Sequence, residues 1–232
     1  MSLLVKICGL STPETLDVAL DAGADMVGFV FFPQSPRNIS LETARPLGAR
    51  VQDRAKKIAL VVDADDALLE QIVAALKPDM FQLHGHETPQ RVAAIRESLG
   101  LPVMKVLAIE TKADLAAIPP YTSVADRLLF DARPPREATR PGGLGKPFDW
   151  HLLEGLALPV PYLLSGGLDS HNVAEALRIT RAPGVDVSSG VESAPGVKDP
   201  EKIRAFIRGA RSFASSSPLP SGERSDTRSV AG

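Results

Sequence analysis

Eight short apolar runs recur at fairly even intervals along this chain of 232 residues, and they constrain its fold more than any other feature. The runs are Leu3–Cys8, Met26–Phe31, Ile58–Val62, Met80–Leu83, Val103–Leu107, Leu128–Phe130, Tyr162–Leu164 and Val185–Val187. Their apolar residues are largely consecutive rather than alternating with polar ones, which is typical of parallel strands buried on both faces. We therefore expect eight strands of one parallel sheet.

Segments with helical spacing separate most of these strands. Leu16, Ala19 and Leu20, for example, fall on one helical face. Helix starts are indicated where Thr or Asp precedes a proline, because the side chain caps the helix and the proline has no N–H to satisfy. These pairs are Thr12-Pro13, Thr88-Pro89 and Asp199-Pro200. Further helices are expected at Leu41–Val51 and, shorter, at Thr111–Ile118.

Eight strands, each followed by a helix candidate, predict an α/β fold with a single (β/α)8 TIM barrel over residues 1–213. A doubly wound open sheet is the alternative, since alternation of strands and helices does not show whether a sheet closes. Residues 214–232 contain no aromatic residue and few apolar ones, so we expect a disordered C-terminal tail there. The segment Arg133–Pro147 is the longest internal loop, and its length indicates a function.

Charge and composition narrow the class of protein. The chain has 26 Lys and Arg against 28 Asp and Glu and no long block of like charges, which argues against nucleic acid or a membrane surface as partner. Its longest apolar runs, such as Met26–Phe32, are far shorter than the ~20 residues of a membrane span. The first residues lack the features of a signal peptide, and a single cysteine excludes an intrachain disulfide or a cysteine metal cluster. We expect a soluble, cytoplasmic protein.

Polar and glycine residues stand where the predicted strands end. In a (β/α)8 barrel the carboxyl ends of the strands form the active site, so these residues would share one rim. They are Lys6, Cys8, Arg37, Asp63, Gln82, His84, Asp131, Ser165–Gly167 and Ser188–Gly190. This clustering predicts an enzyme.

Two glycine-containing turns follow the last two strands. Gly166 and Gly167 follow the seventh strand, and Ser189 and Gly190 follow the eighth. Many barrels bind a phosphate here through backbone N–H groups, which glycine leaves accessible. Either turn alone could simply be a tight turn, but the pair favours a phosphate site.

Three side chains admit two interpretations each. Cys8 is either a small buried hydrophobe or a thiolate base or nucleophile with Lys6 as an electrostatic neighbour. Asp131, which closes an apolar run, either caps a loop or acts as an acid. Arg37 is either an ordinary surface arginine or a ligand for a carboxylate or phosphate.

Two histidines, His84 and His86, raise the question of a metal site. No third ligand is close in the sequence, and Gly85 between them indicates a turn. A solvated loop is therefore favoured, and no metal is expected.

Seven groups of motifs follow one another from Lys6 to the region of Phe206. They are Lys6–Leu10; Gly28–Phe31 with Ser35–Arg37; Gln82–Gly85; Phe130-Asp131; Gly142–Gly145 with Phe148–Trp150; Ser165–Leu168 with Asn172-Val173; and Asp186–Glu192 with Pro195-Gly196 and Lys198-Asp199. Together they resemble the phosphoribosylanthranilate isomerase family, and the combination of Lys-Ile-Cys-Gly with Ser-Ser-Gly-Val-Glu is highly specific. One departure is Leu144, where the family commonly has threonine.

The resemblance implies a (β/α)8 barrel enzyme of tryptophan biosynthesis that uses no metal and no organic cofactor. Its substrate, a phosphosugar joined to anthranilate, would undergo an Amadori rearrangement. The resemblance further implies Cys8 as general base, Asp131 as general acid and Arg37 as a clamp on the anthranilate carboxylate. Gln82 and Asp186 are expected as supporting, substrate-binding groups of the rim. The chain could be a monomer or a homodimer.

Elementary chemistry agrees with these roles. Opening a furanose ring requires a proton on the ring oxygen, which a protonated Asp131 could supply. The Schiff base that results acidifies the neighbouring C–H, whose proton a Cys8 thiolate could remove. Because a free thiol has a pKa of ~8.5, some local stabilisation of the thiolate is expected.

Two other functions remain for the same sequence. The histidine-pathway isomerase performs the same rearrangement on another substrate, but that family typically carries aspartate as the base after the first strand, where this chain has Cys8. A catalytically silent phosphosugar-binding barrel would keep the glycine turns and could lose the acid and base, both of which are present here.

Overall fold

In a computed structural model, which describes residues 3–133, 142 and 147–216, the eight predicted strands form one closed parallel barrel. The strands are β1 Leu4–Cys8, β2 Met26–Phe31, β3 Lys56–Val61, β4 Met80–Leu83, β5 Val103–Ile109, β6 Arg127–Ala132, β7 Tyr162–Leu164 and β8 Gly184–Val187. Each strand pairs with the next, and β8 returns to pair with β1, with Lys6 opposite Asp186. Closure confirms the predicted barrel and excludes the open sheet.

Six α-helices are found in the described part of the chain. They are α1 Pro13–Asp21, α2 Leu41–Val51, α3 Asp66–Leu76, α4 Pro89–Leu99, α5 Val173–Thr180 and α6 Pro200–Ser216. The predicted caps are confirmed: Thr12 and Thr88 each accept a backbone N–H of the first helical turn, and Asp199 does the same for α6. None of these helices is long and apolar enough to cross a membrane.

After two of the strands, β5 and β6, the described residues form 3₁₀ segments and no α-helix before the next strand. After β5 the chain forms 3₁₀ segments at Lys112–Ala117 and Pro119–Tyr121, and Trp150–Leu153 is a third, after β6. The short helix expected at Thr111–Ile118 therefore has 3₁₀ geometry. Two prolines directly after it prevent an α-helix from continuing, because proline lacks the N–H and restricts the residue before it.

Two segments that composition singled out lie largely outside the described residues. Of the loop Arg133–Pro147, only the two end residues and Gly142 are described. α6 ends at Ser216 and so extends over the first three residues of the predicted tail, 214–232. Residues 217–232 lie outside the described part of the chain, and the boundary of the barrel at residue 213 stays a prediction.

Alternate residues of each strand point into the barrel. Towards the amino ends, the interior is filled by Met26, Ile58, Met104, Val106, Leu129 and Leu163. Nearer the carboxyl ends there is a smaller apolar group of Cys8, Val30 and Leu60. The alternation that places Cys8 inside also places Lys6 there, two residues earlier. The interior is thus apolar at one end and polar at the end where a barrel carries its active site.

Candidate active site

The carboxyl half of β1 places a lysine and a thiol side by side in the barrel interior. Lys6 is fully buried and Cys8 is 3% exposed. Gly28 of β2 lies against both: a Cβ at this position would be 2.8 Å from Cys8 Sγ and 3.2 Å from Lys6 Nζ. The glycine therefore makes room for the two polar groups.

Lys6 forms a buried ion pair across the seam that closes the barrel. Its Nζ donates a hydrogen bond to Asp186 Oδ1 at 2.7 Å, and Ser165 Oγ of the turn after β7 lies 3.3 Å from Asp186 Oδ2. Burial alone would lower the pKa of Lys6, but Asp186 and Cys8 together raise it above its usual value. Lys6 is consequently a permanent positive charge beside the thiol.

The pKa of the Cys8 thiol is raised above its usual value. Burial is the largest cause, and the Asp186 carboxylate adds to it. Lys6 and Lys198 act in the opposite direction and lower the pKa. The local stabilisation of the thiolate expected from the sequence thus comes from two lysines. Their effect on the pKa of Cys8 is smaller than the opposing effect of burial and Asp186 together.

Asp131, the predicted acid, stands at the carboxyl end of β6 and is 7% exposed. Its Oδ1 accepts the N–H of Ala132 at 2.8 Å, and its Oδ2 lies 3.4 Å from His84 Nε2. Gly142 packs against both side chains, since a Cβ there would lie 2.5 Å from Asp131 Oδ2 and 2.9 Å from His84 Nε2. The acid therefore has a histidine partner.

The solvated-loop interpretation is wrong for His84 and confirmed for His86. The His84 side chain is only 11% exposed, because β4 directs it over the rim to Asp131. The His86 side chain is 97% exposed, with Nδ1 3.2 Å from Asp63 Oδ2. In the described ranges, no three His, Cys, Asp or Glu side chains are grouped so as to hold a metal ion.

Arg37 is buried, contrary to the surface alternative, and pairs with Glu192. Its Nε donates to Glu192 Oε1 at 2.7 Å and its Nη2 to Oε2 at 2.8 Å. Both side chains are about 5% exposed. A bidentate pair of this kind fixes the plane of the guanidinium as well as its position.

Glu192 also binds Lys198, which extends this network towards Cys8. Lys198 Nζ lies 2.8 Å from Glu192 Oε1 and donates to the carbonyl of Ser188 at 2.8 Å. Burial would raise the pKa of Glu192, but Arg37 and Lys198 hold it below its usual value. Burial lowers the pKa of Lys198, and Glu192 opposes this.

Gln82 of β4 is buried at 1% exposure, and its Oε1 has no hydrogen-bond partner among the described residues. Gln82 lies on the interior-facing side of β4, two residues before His84. A buried acceptor without a partner is costly, so this oxygen is available to a ligand in the barrel mouth.

The two glycine turns predicted to bind phosphate are in contact. Gly166 and Gly167 both have positive φ, at 83° and 66°, which L side chains rarely adopt. Ser189 and Gly190 open a 3₁₀ turn after β8. A Cβ on Gly190 would lie 1.9 Å from the carbonyl oxygen of Leu168, so the turns meet there.

The structure thus joins Lys6, Cys8 and Asp186 in one cluster and pairs Asp131 with His84, all at the carboxyl ends of the strands. Three contributors had no role assigned from the sequence. They are the His84 partner of Asp131, Glu192 and Lys198. Glu192 and Lys198 belong to motifs of the family resemblance, which marked them as candidates for the site. Their roles could not be assigned, because Arg37, which pairs with Glu192, lies far away in the chain.

Comparison with known proteins assigns the chain to a family. The model of the N-(5′-phosphoribosyl)anthranilate isomerase (PRAI) family matches residues 5–209. The chain belongs to the PRAI family. The resemblance given by the sequence motifs is therefore confirmed, and as a PRAI family member the chain is an enzyme, an isomerase of tryptophan biosynthesis.

Relatives and solved PRAI structures agree over most of the chain. A PRAI of Bradyrhizobium diazoefficiens is 70% identical over 211 residues, which cover 91% of this chain and 95% of that protein. The crystal structure of PRAI from Thermotoga maritima superposes with a TM-score of 0.82 at 33% identity and covers 90% of this chain and 99% of that one. A PRAI structure in complex with reduced 1-(o-carboxyphenylamino)-1-deoxyribulose 5-phosphate gives a TM-score of 0.77 at 31% identity, with the same coverage.

Proposed function

We propose that this barrel converts N-(5-phosphoribosyl)anthranilate into 1-(2-carboxyphenylamino)-1-deoxyribulose 5-phosphate, a step of tryptophan biosynthesis, with Cys8 as general base and Asp131 as general acid. The observation that carries the proposal is a buried thiol beside the Lys6–Asp186 ion pair at the mouth of a barrel of this family. This pair supplies a charged environment for a base in an otherwise apolar interior.

The first step is the opening of the sugar ring. Asp131 gives a proton to the ring oxygen, the bond between that oxygen and the anomeric carbon breaks, and the nitrogen lone pair forms the Schiff base. Asp131 is then a carboxylate, next to His84, whose Nε2 lies 3.4 Å away. The histidine is suitably placed to interact with Asp131 both as the carboxylic acid and as the carboxylate.

The second step is the removal of the proton on the carbon next to the Schiff base. The Cys8 thiolate takes this proton. The electron pair of the broken C–H bond forms the enamine, which tautomerises to the ketone. Lys6 and Lys198 lower the pKa of the thiol against the effect of burial. No atom is gained or lost overall, as an isomerisation requires.

Substrate binding uses the two ends of the pocket. The glycine turns at Gly166-Gly167 and Ser189-Gly190 bind the phosphate through backbone N–H groups, and Arg37, fixed by Glu192, binds the anthranilate carboxylate. Two anchors hold the reacting carbons between acid and base.

Two further residues of the rim, Gln82 and Asp186, were predicted to bind the substrate, and the structure supports this for only one of them. Gln82 is supported as a ligand for a substrate hydroxyl by its Oε1, which has no hydrogen-bond partner in the described part of the chain. Asp186 was predicted to bind substrate as well, but its oxygens are engaged by Lys6 and Ser165, which favours an electrostatic role for it.

The test is a fluorescence assay with freshly made phosphoribosylanthranilate. We expect rapid loss of the substrate's signal with the wild-type chain and almost none with Cys8→Ala. A wild-type chain that leaves the substrate unchanged, or that turns over only the histidine-pathway substrate, would contradict the proposal.

The oligomeric state is open between monomer and homodimer. One solved relative, from Thermotoga maritima, is described as a dimeric enzyme from which monomers were generated. Gel filtration at several protein concentrations decides the state of this chain. That it acts in the cytoplasm and not on nucleic acid stays a prediction.

A further inference from the structure

Another buried ion pair lies on the other side of the sheet from the thiol. Lys105 alternates on β5 with Met104 and Val106, whose side chains fill the barrel interior, so Lys105 points outwards towards the helices. Its Nζ is 2.6 Å from Glu87 Oε2, and the two side chains are 3% and 2% exposed. Burial of an ion pair is costly, and this pair takes no part in the steps described above.

The contacts of this pair converge on the backbone that carries His84. Lys105 Nζ donates to the carbonyl of Leu83 at 3.3 Å and to that of Gly85 at 2.7 Å, the residues on either side of the histidine. Glu87 Oε1 and Oε2 accept the N–H of Gly85 at 3.1 and 3.0 Å. The peptide groups around His84 are thus held by both charges.

Two further contacts brace the pair itself. Glu87 Oε1 also accepts the N–H of Asp63 at 3.0 Å, which joins the ends of β3 and β4. The Tyr121 hydroxyl donates to the Glu87 carbonyl at 3.0 Å, and its ring centre is 5.9 Å from Lys105 Nζ. The whole network lies outside the barrel, while the side chain it positions lies inside its mouth.

We propose that Lys105 and Glu87 are positioning residues for the isomerisation: they hold the connection between β4 and α4 so that His84 stays on the Asp131 carboxyl group. The inference rests on the proposed role of Asp131. The Ala132 N–H donates to one oxygen of Asp131, and His84 Nε2 lies 3.4 Å from the other, so the surroundings in which the acid presents its proton depend on the place of His84. A small displacement of a proton-transfer group is enough to slow catalysis.

The first variant is the double substitution Lys105→Met/Glu87→Gln, which removes both charges and leaves neither buried alone. We expect kcat to fall about tenfold with KM within about twofold of wild type, because the substrate anchors are untouched. The NMR signal of the His84 ring should move in this variant and, in the same direction, in Asp131→Asn. The ring signals of His151 and His171 should stay in place.

Two single variants accompany it. Tyr121→Phe removes only the hydrogen bond to the Glu87 carbonyl, and we expect a fall in kcat of about threefold and a smaller shift of the His84 signal. Arg96→Met is the matched control, because it breaks an ion pair of the same helix α4, with Asp126 at 2.7 Å, at the end away from His84. It should leave kcat, KM and the His84 signal as in wild type.

The proposal requires both a lower kcat and a displaced His84 signal in the double variant, and the failure of either overturns it. If the double variant does not fold, Tyr121→Phe decides by the same two measurements. Wild-type turnover in Asp131→Asn would instead remove the proposed acid and with it the proposed mechanism. An inactive Asp131→Asn beside a fully active double variant refutes the positioning role alone.

Discussion

Lys6 and Asp186 are opposite each other on the first and last strands of the barrel, with Nζ 2.7 Å from Oδ1 and both groups buried. Cys8 follows Lys6 on the same face of β1, so the charge of this pair acts directly on the thiol. The balance between burial, which raises the pKa of Cys8, and Lys6, which lowers it, decides how much thiolate is available.

Activity should therefore rise with pH through the neutral range. In the proposed mechanism the thiolate is the base, and since the pKa of Cys8 is raised, the thiolate fraction increases up to and beyond pH 8.5, the usual region for a thiol. The double variant Lys6→Met/Asp186→Asn should move the rising limb of the kcat/KM profile to higher pH. Lys6 lowers the pKa of Cys8 by more than Asp186 raises it, so loss of both charges raises this pKa further. The measurement is kcat/KM against pH.

A titration of the ultraviolet absorbance of the thiolate provides an independent reading, which is specific because the chain has a single cysteine. Its midpoint should move in the same direction as the kinetic limb. A midpoint that moves to lower pH in the double variant would contradict the assigned effect of Lys6.

Removal of either proton-transfer group should nearly abolish turnover. We expect Cys8→Ala and Asp131→Asn each to lower kcat by about 10²–10⁴-fold, the usual contribution of one positioned acid or base. Steady-state kinetics measure this, with circular dichroism to verify the fold. Near-wild-type turnover in either variant would exclude that residue from the role.

Gly28→Ala should damage the site while leaving the barrel folded. The added Cβ would lie 2.8 Å from Cys8 Sγ and 3.2 Å from Lys6 Nζ, so the thiol must move. We expect kcat to fall at least about tenfold and the free energy of unfolding to fall by about 1–3 kcal/mol, the usual cost of overpacking.

Gly209→Ala of α6 is the control for this substitution, because its Cβ would meet only the side chain of Val173 at 3.2 Å and the Ser170 carbonyl at 3.5 Å. It should leave kcat unchanged. Equal activity of the Gly28 and Gly209 variants would show that the space around Cys8 is not needed.

Arg37→Ala should act mainly on substrate binding. Loss of a hydrogen bond to a charged group costs about 1.5–3 kcal/mol, which corresponds to a rise in KM of about ten- to a hundredfold. Arg50→Ala is the matched control, because Arg50 forms a comparable bidentate pair with Asp17 on the outside of the molecule. An unchanged KM in the Arg37 variant would argue against the carboxylate clamp.

The strands were predictable because each is a continuous apolar run, and a parallel sheet buried on both faces requires this pattern. Met26–Phe31 and Met80–Leu83 were predicted at their observed bounds. The 3₁₀ geometry of Lys112–Ala117 was harder to predict. The apolar residues of this segment have helical spacing, and only the two prolines after it indicate that an α-helix does not continue.

The rim residues could be found from the sequence, but their partners could not. Arg37 and Glu192 are 155 positions apart, and Lys6 and Asp186 are 180 apart, so only barrel closure brings them together. His84 was assigned to solvent because local sequence shows a glycine turn and contains no hint of Asp131. The raised pKa of Cys8 depends on burial by neighbouring strands, which spacing along β1 does not reveal.

Pairing between β1 and β8 also has a consequence for how the molecule acquires its activity. Lys6 and Cys8 are made early on the ribosome, whereas Asp186 is made near the end of the barrel. A nascent chain that has not yet received β8 holds the thiol and Lys6 without Asp186, the buried partner of Lys6. Catalytic competence should therefore arise together with the final strand pairing, so that the onset of turnover reports the last event of folding.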